Sequence, residues 1–215
     1  MTEAEAREWL RCKGNVSRET LDQIALFVEL LTDEMAHQNL ISAASRDHIW
    51  ARHIVDSAQL LAYADDIKPT TQWIDLGTGA GFPGIIIALL RPVKMHLVES
   101  RKRRCAFLQD VVRKLQLQEK CNVHCQRLEQ LKPFNADVIS ARAFAPLPKL
   151  LKLANPFSTE KTIWLLPKGR NAVEEWQSLD QRTQKMFHVE QSCTDAEAGI
   201  LVGRGFIVRE RAAKP

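Results

Sequence analysis

The chain has 215 residues, enough for one α/β domain with an appendage, and 45% of them are apolar, enough for a sizeable core. Its net charge of +4 is unevenly placed: residues 1–70 carry seven Lys/Arg against twelve Asp/Glu, whereas residues 91–132 carry eleven against four. No run reaches the ~18 apolar residues of a membrane span, and the opening MTEAEAREWL is acidic where a signal peptide needs a basic and then an apolar region, so a cytoplasmic protein away from membranes is expected.

In chain order, residues 1–65 read as a helical extension. Ser17 is a candidate N-cap ahead of Leu21, Ile24, Val28 and Leu31 at helical spacing. After the polar turn His37-Gln38-Asn39, a second helix is expected from about Ser45 through Ile49, His53 and Ile54 to Leu61. The loop at 65–71 separates this extension from a second part, 72–215, in which strands and helices alternate. QWIDL reads as a strand, followed by a glycine loop and an apolar helix from Ile85 to Leu90 that Arg91-Pro92 ends. KMHLVES is the next strand, and the helix after it carries Phe107, Leu108, Val111, Val112 and Leu115 on one face. Strands are expected within NVHCQR (122–127), ADVISARAF (136–144) and TIWLLP (162–167), and helices near 147–154 and 171–183. MFHVEQ and FIVRE read as the last two strands. This alternation predicts an α/β, Rossmann-like fold with a seven-stranded, mostly parallel sheet covered on both faces. Ligands of such sheets bind beyond the carboxyl ends of the strands.

Cys12, Cys105, Cys121, Cys125 and Cys193 are odd in number and scattered. Cys121 and Cys125 have no second pair to complete a zinc site, so all five read as reduced structural thiols and no metal is expected. The basic excess of 91–132 is what a polyanion would use, and equally what a solvated basic face would show.

The stretch WIDLGTGAGFPG is the main chemical signal. Gly79-Ala-Gly81-Phe-Pro-Gly84 fits a dinucleotide fingerprint, while Asp75-Leu-Gly77-Thr-Gly79-Ala-Gly81 fits an S-adenosylmethionine loop. A pyrophosphate needs bare amides in the first helical turn. Pro83 removes one, and Asp75 places a negative charge nearby. S-adenosylmethionine presents no phosphate, so the acid and the close-approach glycines suit it better. Glu99, at the end of the second strand, can accept from ribose hydroxyls of either cofactor.

For a methyl acceptor, the region Ile139 to Phe144 lacks the Asn/Asp-Pro-Pro run used on exocyclic amines. No cysteine follows a proline, as attack on pyrimidine C5 would require. A purine ring nitrogen needs neither device, only alignment and exclusion of water, and no general base is expected. Arg142 could hold guanine O6, and Phe144 could stack on a base. Equally, Arg142 could be a strand-end ion pair and Phe144 a core aromatic.

Taken together, IDLGTGAGFPGIIIALLRP, ISARAFAPL, ESRKRRCAFL, QNLIS, RHIVDS and PKGR resemble the bacterial RsmG family, also called GidB, over nearly the whole chain. Members are 16S rRNA guanosine-N7 methyltransferases. The resemblance implies a class I SAM-dependent methyltransferase fold at 72–215 behind the helical extension 1–65. It implies S-adenosylmethionine as cofactor and 16S rRNA of the small ribosomal subunit as partner; separately, a monomer is expected. It places Gly77, Gly79 and Phe82 at the cofactor, Glu99 on the ribose, and Leu128 and Glu129 beside the adenine. Arg142 would reach cofactor or base, Arg103 and Arg104 would contact RNA phosphates, and Lys168 would do the same or orient the base together with Phe144. Arg52, His53 and Asp56 would pack near the site. Three departures stand out: Ala141 separates Ser140 from Arg142, Glu99 replaces the more usual Asp, and the last segment is glycine-rich. The competing readings are a methyltransferase for protein or small molecules, an RNA-binding assembly protein with a vestigial pocket, and a dinucleotide oxidoreductase.

Overall fold

Successive side chains on a strand point to opposite faces, and here both faces are apolar. Trp73, Met95, Leu97, Val138, Ile163, Leu165, Ile200 and Val202 join one core cluster, while Ile74, Leu76, Val98, Ile139, Trp164, Leu166 and Leu201 join another. The sheet is therefore the middle of three layers. The computed structural model describes residues 1–64 and 66–207.

The strands are β1 (Gln72–Leu76), β2 (Lys94–Val98), β3 (Cys121–His124), β4 (Val138–Ala141), β5 (Ile163–Lys168), β6 (Phe187–Gln191) and β7 (Gly199–Arg204). They form one seven-stranded sheet in the order β3-β2-β1-β4-β5-β7-β6. The first five are parallel, and β7 runs antiparallel to both β5 and β6. The order reverses between β1 and β4, so the carboxyl ends of those strands open the crevice where an α/β ligand belongs.

The helices are α1 (Glu3–Cys12), α2 (Arg18–Glu34), α3 (Asp56–Ala58), α4 (Gly84–Leu90), α5 (Lys102–Lys114), α6 (Leu147–Ala154), α7 (Ala172–Gln177) and α8 (Gln181–Gln184). Ser17 caps α2 by accepting from the Thr20 amide at 3.3 Å, and Thr2 with Glu5 forms a capping box on α1. Leu10, Ile24, Phe27 and Leu31 of these two helices are fully buried and continue into the cluster on one face of the sheet. The extension is thus packed onto the sheet rather than set apart from it.

Three sequence expectations change. The helix expected from Ser45 to Leu61 is an irregular run: a 3-10 turn (Ala43–His48), a wide π turn (Trp50–Val55), α3, and a second 3-10 turn (Gln59–Tyr63). The π turn buries Trp50, Ala51, His53, Ile54 and Val55 and leaves only Arg52 exposed. A regular helix covered on one side buries a single stripe. The helix expected over 171–183 is split into α7 and α8, because the Asp180 carboxylate accepts from the Arg182 and Thr183 amides and starts a new helix there. The last strand is not FIVRE but GILVGR, Gly199–Arg204. Phe206 and Ile207 carry no strand, and 208–210 lie outside the described residues. The glycines in that segment have a packing reason: a side chain at Gly203 would run into the Phe187 ring of β6.

Candidate active site

The glycine loop leaves β1 in a conformation that L side chains rarely adopt: φ is 63°, 60° and 102° at Gly77, Gly79 and Gly81. A Cβ at Gly77 would lie 2.6 Å from Phe144 Cδ2, so the half-buried Phe144 ring rests directly on the loop. Asp75 does not face the cleft. It is fully buried and accepts from the Gly84 amide at 3.0 Å and from Ser140 Oγ at 2.8 Å. Ser140 in turn accepts from Trp73 Nε1 at 2.9 Å. Burial pushes the Asp75 carboxyl up, and these donors pull against that shift. The acid before the loop is therefore a tie between β1, β4 and the α4 entrance.

The same bonding bears on the choice of cofactor. At the loop and the entrance to α4, the amides of Gly81 and Phe82 donate to the Thr78 carbonyl, that of Gly84 to Asp75, and that of Ile85 to the Gly81 carbonyl. These four amides are therefore not free for a pyrophosphate, and the buried carboxylate behind them repels one.

Glu99 lies just past β2 and is 6% exposed. Its Oε1 accepts from the Ser100 and Arg101 amides at 2.7 and 2.8 Å, which leaves Oε2 for a ligand, 3.8 Å from Arg104 Nη1. Leu128 is buried in the short helical turn after β3, in the same cluster as Leu76 and Val98, and Glu129 beside it is exposed. Phe82 is 2% exposed. It stacks with His53 at 4.9 Å and meets Phe27 edge-on at 5.3 Å. Its ring is the floor beneath the site.

The two arginines expected on RNA are engaged with the extension. Arg103 Nη2 donates to the His37 carbonyl at 2.6 Å, and Gln38 Nε2 donates to the Arg103 carbonyl. Arg104 Nη2 donates to the Asn39 carbonyl at 3.1 Å, and its Nη1 lies 3.6 Å from where a Gly79 Cβ would be. Arg104 thus sits over the glycine loop, and both residues clamp the 37–39 turn to the start of α5.

Beyond β4 and β5 opens a cleft of about 1150 Å³. Arg142, Ala143 and Pro146 line one side, and Lys168, Gly169 and Arg170 another. Arg52, His53 and Asp56 of the irregular segment face them, and Thr194 and Asp195 from the β6–β7 connection close the end. Ala143 has φ of 51°, a strained backbone just where the chain leaves β4. Arg142 Nη1 lies 3.6 Å from Asp56 Oδ2 and 3.3 Å from the Arg52 carbonyl, and its Cζ sits 5.2 Å from the Phe82 ring centroid. Asp56 Oδ1 accepts from Gln59 Nε2 at 2.8 Å and from Thr194 Oγ1 at 3.1 Å. Burial raises the Asp56 carboxyl, while the Arg142 charge and the Thr194 bond oppose it. Lys168 is nearly buried and pairs with Glu175 at 2.8 Å. Arg52 pairs with Asp195 and Arg170 with Glu197, both at 2.6 Å. Burial, then the charges of Arg142 and Arg52, pull His53 down to about 3 and keep it neutral.

Of the sequence candidates, Arg142 and Lys168 line the cleft, while Phe144 rests on the glycine loop at Gly77. Gly77, Gly79, Glu99, Leu128 and Glu129 form a separate group at the β1–β3 ends. The contributions of Arg170, Thr194, Asp195 and Glu197 are absent from the sequence reading. The RHIVDS and PKGR stretches pointed to the walls they complete. Among the described residues no helix is long and apolar enough to cross a membrane, and no cluster of His, Cys, Asp and Glu could hold a metal.

Comparison with known proteins places this geometry. Residues 20–201 match the GidB family, described as rRNA small subunit methyltransferase G. The ribosomal RNA small subunit methyltransferase G of Sphingopyxis alaskensis is 52% identical over 212 residues, 99% of this chain and 90% of that protein. The enzyme of that name from Erythrobacter litoralis is 49% identical over 205 residues, 95% of this chain and 97% of its own. Among solved structures, the ribosomal protein L11 methylase of Lactobacillus delbrueckii subsp. bulgaricus aligns over 70% of this chain and 77% of that one. Its TM-score is 0.55 at 15% identity, a likeness of fold.

Proposed function

The chain belongs to the rRNA small subunit methyltransferase G family, and on that premise we propose that it transfers a methyl group from S-adenosylmethionine to N7 of a guanine in the decoding-region loop of 16S rRNA. The observation that carries the cofactor half is the glycine loop with its α4-entrance amides already bonded inside the protein. Such a loop permits close approach without offering a phosphate cradle, which fits a cofactor that has no phosphate and disfavours a dinucleotide.

Bound S-adenosylmethionine supplies an electrophilic methyl group on a sulfonium. Gly77 and Gly79 let its backbone neighbours approach. Glu99 Oε2 accepts from the ribose, and its Oε1 bonds to the Ser100 and Arg101 amides hold the carboxylate in place. Leu128 gives the adenine an apolar wall, with Glu129 at its edge. Guanine N7 already carries the attacking lone pair, so this chain needs no general base; it must align the base and exclude water. The cleft beyond β4 and β5 has room for an unstacked nucleotide. Arg142 borders it with donors suited to guanine O6. Phe144, seated on Gly77, marks the boundary between cofactor and acceptor.

For the RNA backbone, Arg103 keeps unused donors on an exposed guanidinium, and Lys168 and Arg170 line the cleft. The partner is 16S rRNA within the small ribosomal subunit, which puts the enzyme in the cytoplasm. Among the described residues the exposed large hydrophobics are Met1, Leu26 on α2, Val173 on α7 and Phe206, scattered along the chain, which supports a monomer.

The test uses methyl-labelled S-adenosylmethionine and small subunits lacking their native methylation, with mass spectrometry after nuclease digestion. Label on a guanine N7 of the decoding loop is expected. Absence of transfer, with adenosylhomocysteine still raising the melting temperature, would move the acceptor to a protein or small molecule.

A further inference from the structure

An ion pair joins the irregular segment to the end of β4: Arg142 Nη1 lies 3.6 Å from Asp56 Oδ2, with the two side chains 24% and 18% exposed. A pair largely withdrawn from water contributes little net stability, because desolvation consumes most of its attraction. What it does supply is a direction for the guanidinium, and its surroundings are arranged to fix that direction. Asp56 Oδ1 accepts from Gln59 Nε2 at 2.8 Å and from Thr194 Oγ1 at 3.1 Å. Gln59 is itself tied to the β6–β7 connection, donating to Ser192 Oγ at 3.1 Å and accepting from the Cys193 amide at 2.8 Å. The carboxylate is thus held by one oxygen and presents the other, Oδ2, to Arg142.

On the arginine, both polar contacts fall on one nitrogen: Nη1 meets Asp56 and donates to the Arg52 carbonyl at 3.3 Å. Nε and Nη2, the other edge of the planar fork, have no partner among the described residues. They stay open to solvent, because the buried and unpaired side-chain polar atoms among the described residues are the two His53 nitrogens and Thr78 Oγ1. Arg142 lines the cleft, and two N–H groups side by side suit a carbonyl oxygen such as guanine O6. We propose that Asp56 is a positioning residue: acting through Arg142 Nη1, it aims the Nε and Nη2 donors at O6 of the entering guanine and so sets N7 in line with the methyl donor. This rests on the reading above that the acceptor is a guanine, and the wild-type labelling experiment tests that reading alone.

The test compares Asp56→Asn, whose amide oxygen can still accept from Gln59 and Thr194 but which sets an N–H group against Arg142, with Asp56→Glu, which keeps the charge. Both are made in the wild-type and the Arg142→Gln backgrounds and assayed for turnover and KM on undermethylated small subunits, adenosylhomocysteine affinity and melting temperature. Asp56→Asn is expected to lose about tenfold or more in turnover, with KM and adenosylhomocysteine affinity within about threefold of wild type, and Asp56→Glu to recover part of the loss. In the Arg142→Gln background the same Asp56→Asn change should cost less than about twofold, because its effect passes through the arginine. Wild-type turnover in Asp56→Asn would overturn the proposal. So would a loss that persists undiminished in the Arg142→Gln background, or equal losses in both Asp56 variants that track a lowered melting temperature. A matching loss of adenosylhomocysteine affinity would also overturn it, by placing Arg142 on the cofactor instead of the base. If the wild type transfers no label to RNA, the guanine reading itself has failed and takes the proposal with it.

Discussion

The two halves of the site are built differently. At the β1–β3 ends, backbone and buried side chains do the work: left-handed glycines, a buried Trp73–Ser140–Asp75 chain, and Glu99 held by two amides. Beyond β4 and β5, the walls come from four separate segments and are joined by ion pairs, several of them half in water. A small cofactor needs fixed, close contacts. A folded RNA must enter and leave, and weak exposed pairs can yield to phosphates. The difference teaches that rigidity is concentrated where the ligand is invariant in shape.

The largest expected effect would break the first half. Gly77→Val forces a branched side chain into a left-handed backbone and against Phe144. A cost of about 3 kcal/mol is expected, or roughly a hundredfold in adenosylhomocysteine affinity by calorimetry. Unchanged affinity would remove Gly77 from the cofactor surface. Next is Ser140→Ala, which leaves the Trp73 N–H and one Asp75 oxygen unpaired in the core. A loss of about 2–3 kcal/mol in urea unfolding is expected, and a loss below about 0.5 kcal/mol would show that the chain of bonds is not a structural tie.

A pH experiment sharpens the contrast from the other side. His53 sits near 3 in the folded protein against an ordinary 6.5, so the unfolded chain takes up its proton first as pH falls. Stability should therefore be intact above about pH 6.5 and drain away below it, by about 2 kcal/mol at pH 5. In His53→Phe that part of the acid slope should be absent. Identical slopes would mean that the imidazole protonates freely in the folded state. The smallest effect belongs to Asp195→Asn, which releases the half-exposed Arg52. Stability should change by less than about 1 kcal/mol, while the salt dependence of subunit binding should steepen as Arg52 becomes free for phosphate. A shallower slope would argue that Arg52 stays away from RNA.

This asymmetry also explains what could be read from the sequence. The glycine loop, the Glu99 strand end and the alternation of β1 to β5 are local patterns, so the fold and the left-handed glycine loop were legible. Asp75 misled because its type and position were visible but its direction was not: it points inward to Ser140 and Gly84. The resemblance put Arg103 and Arg104 on RNA; what it did not reveal is that both also reach carbonyls of the 37–39 turn, a contact across about 65 positions of chain. With Arg104 beside Glu99, Arg103→Glu combined with Arg104→Glu should disturb cofactor binding as well as any RNA contact. Arg52 and Asp56 were expected near the site, but their partners Asp195 and Thr194 were hidden, because they meet only after the irregular segment and the β6–β7 connection have packed together.

Hydrogen exchange resolved to short segments, with adenosylhomocysteine alone and then with small subunits added, tests this division most directly. The account expects adenosylhomocysteine to slow exchange at 77–82, 99–101 and 127–130 and to leave 52–56 and 192–198 unchanged, with subunits then protecting those last two segments. Protection of 52–56 and 192–198 by adenosylhomocysteine alone, with none added by subunits, would contradict it.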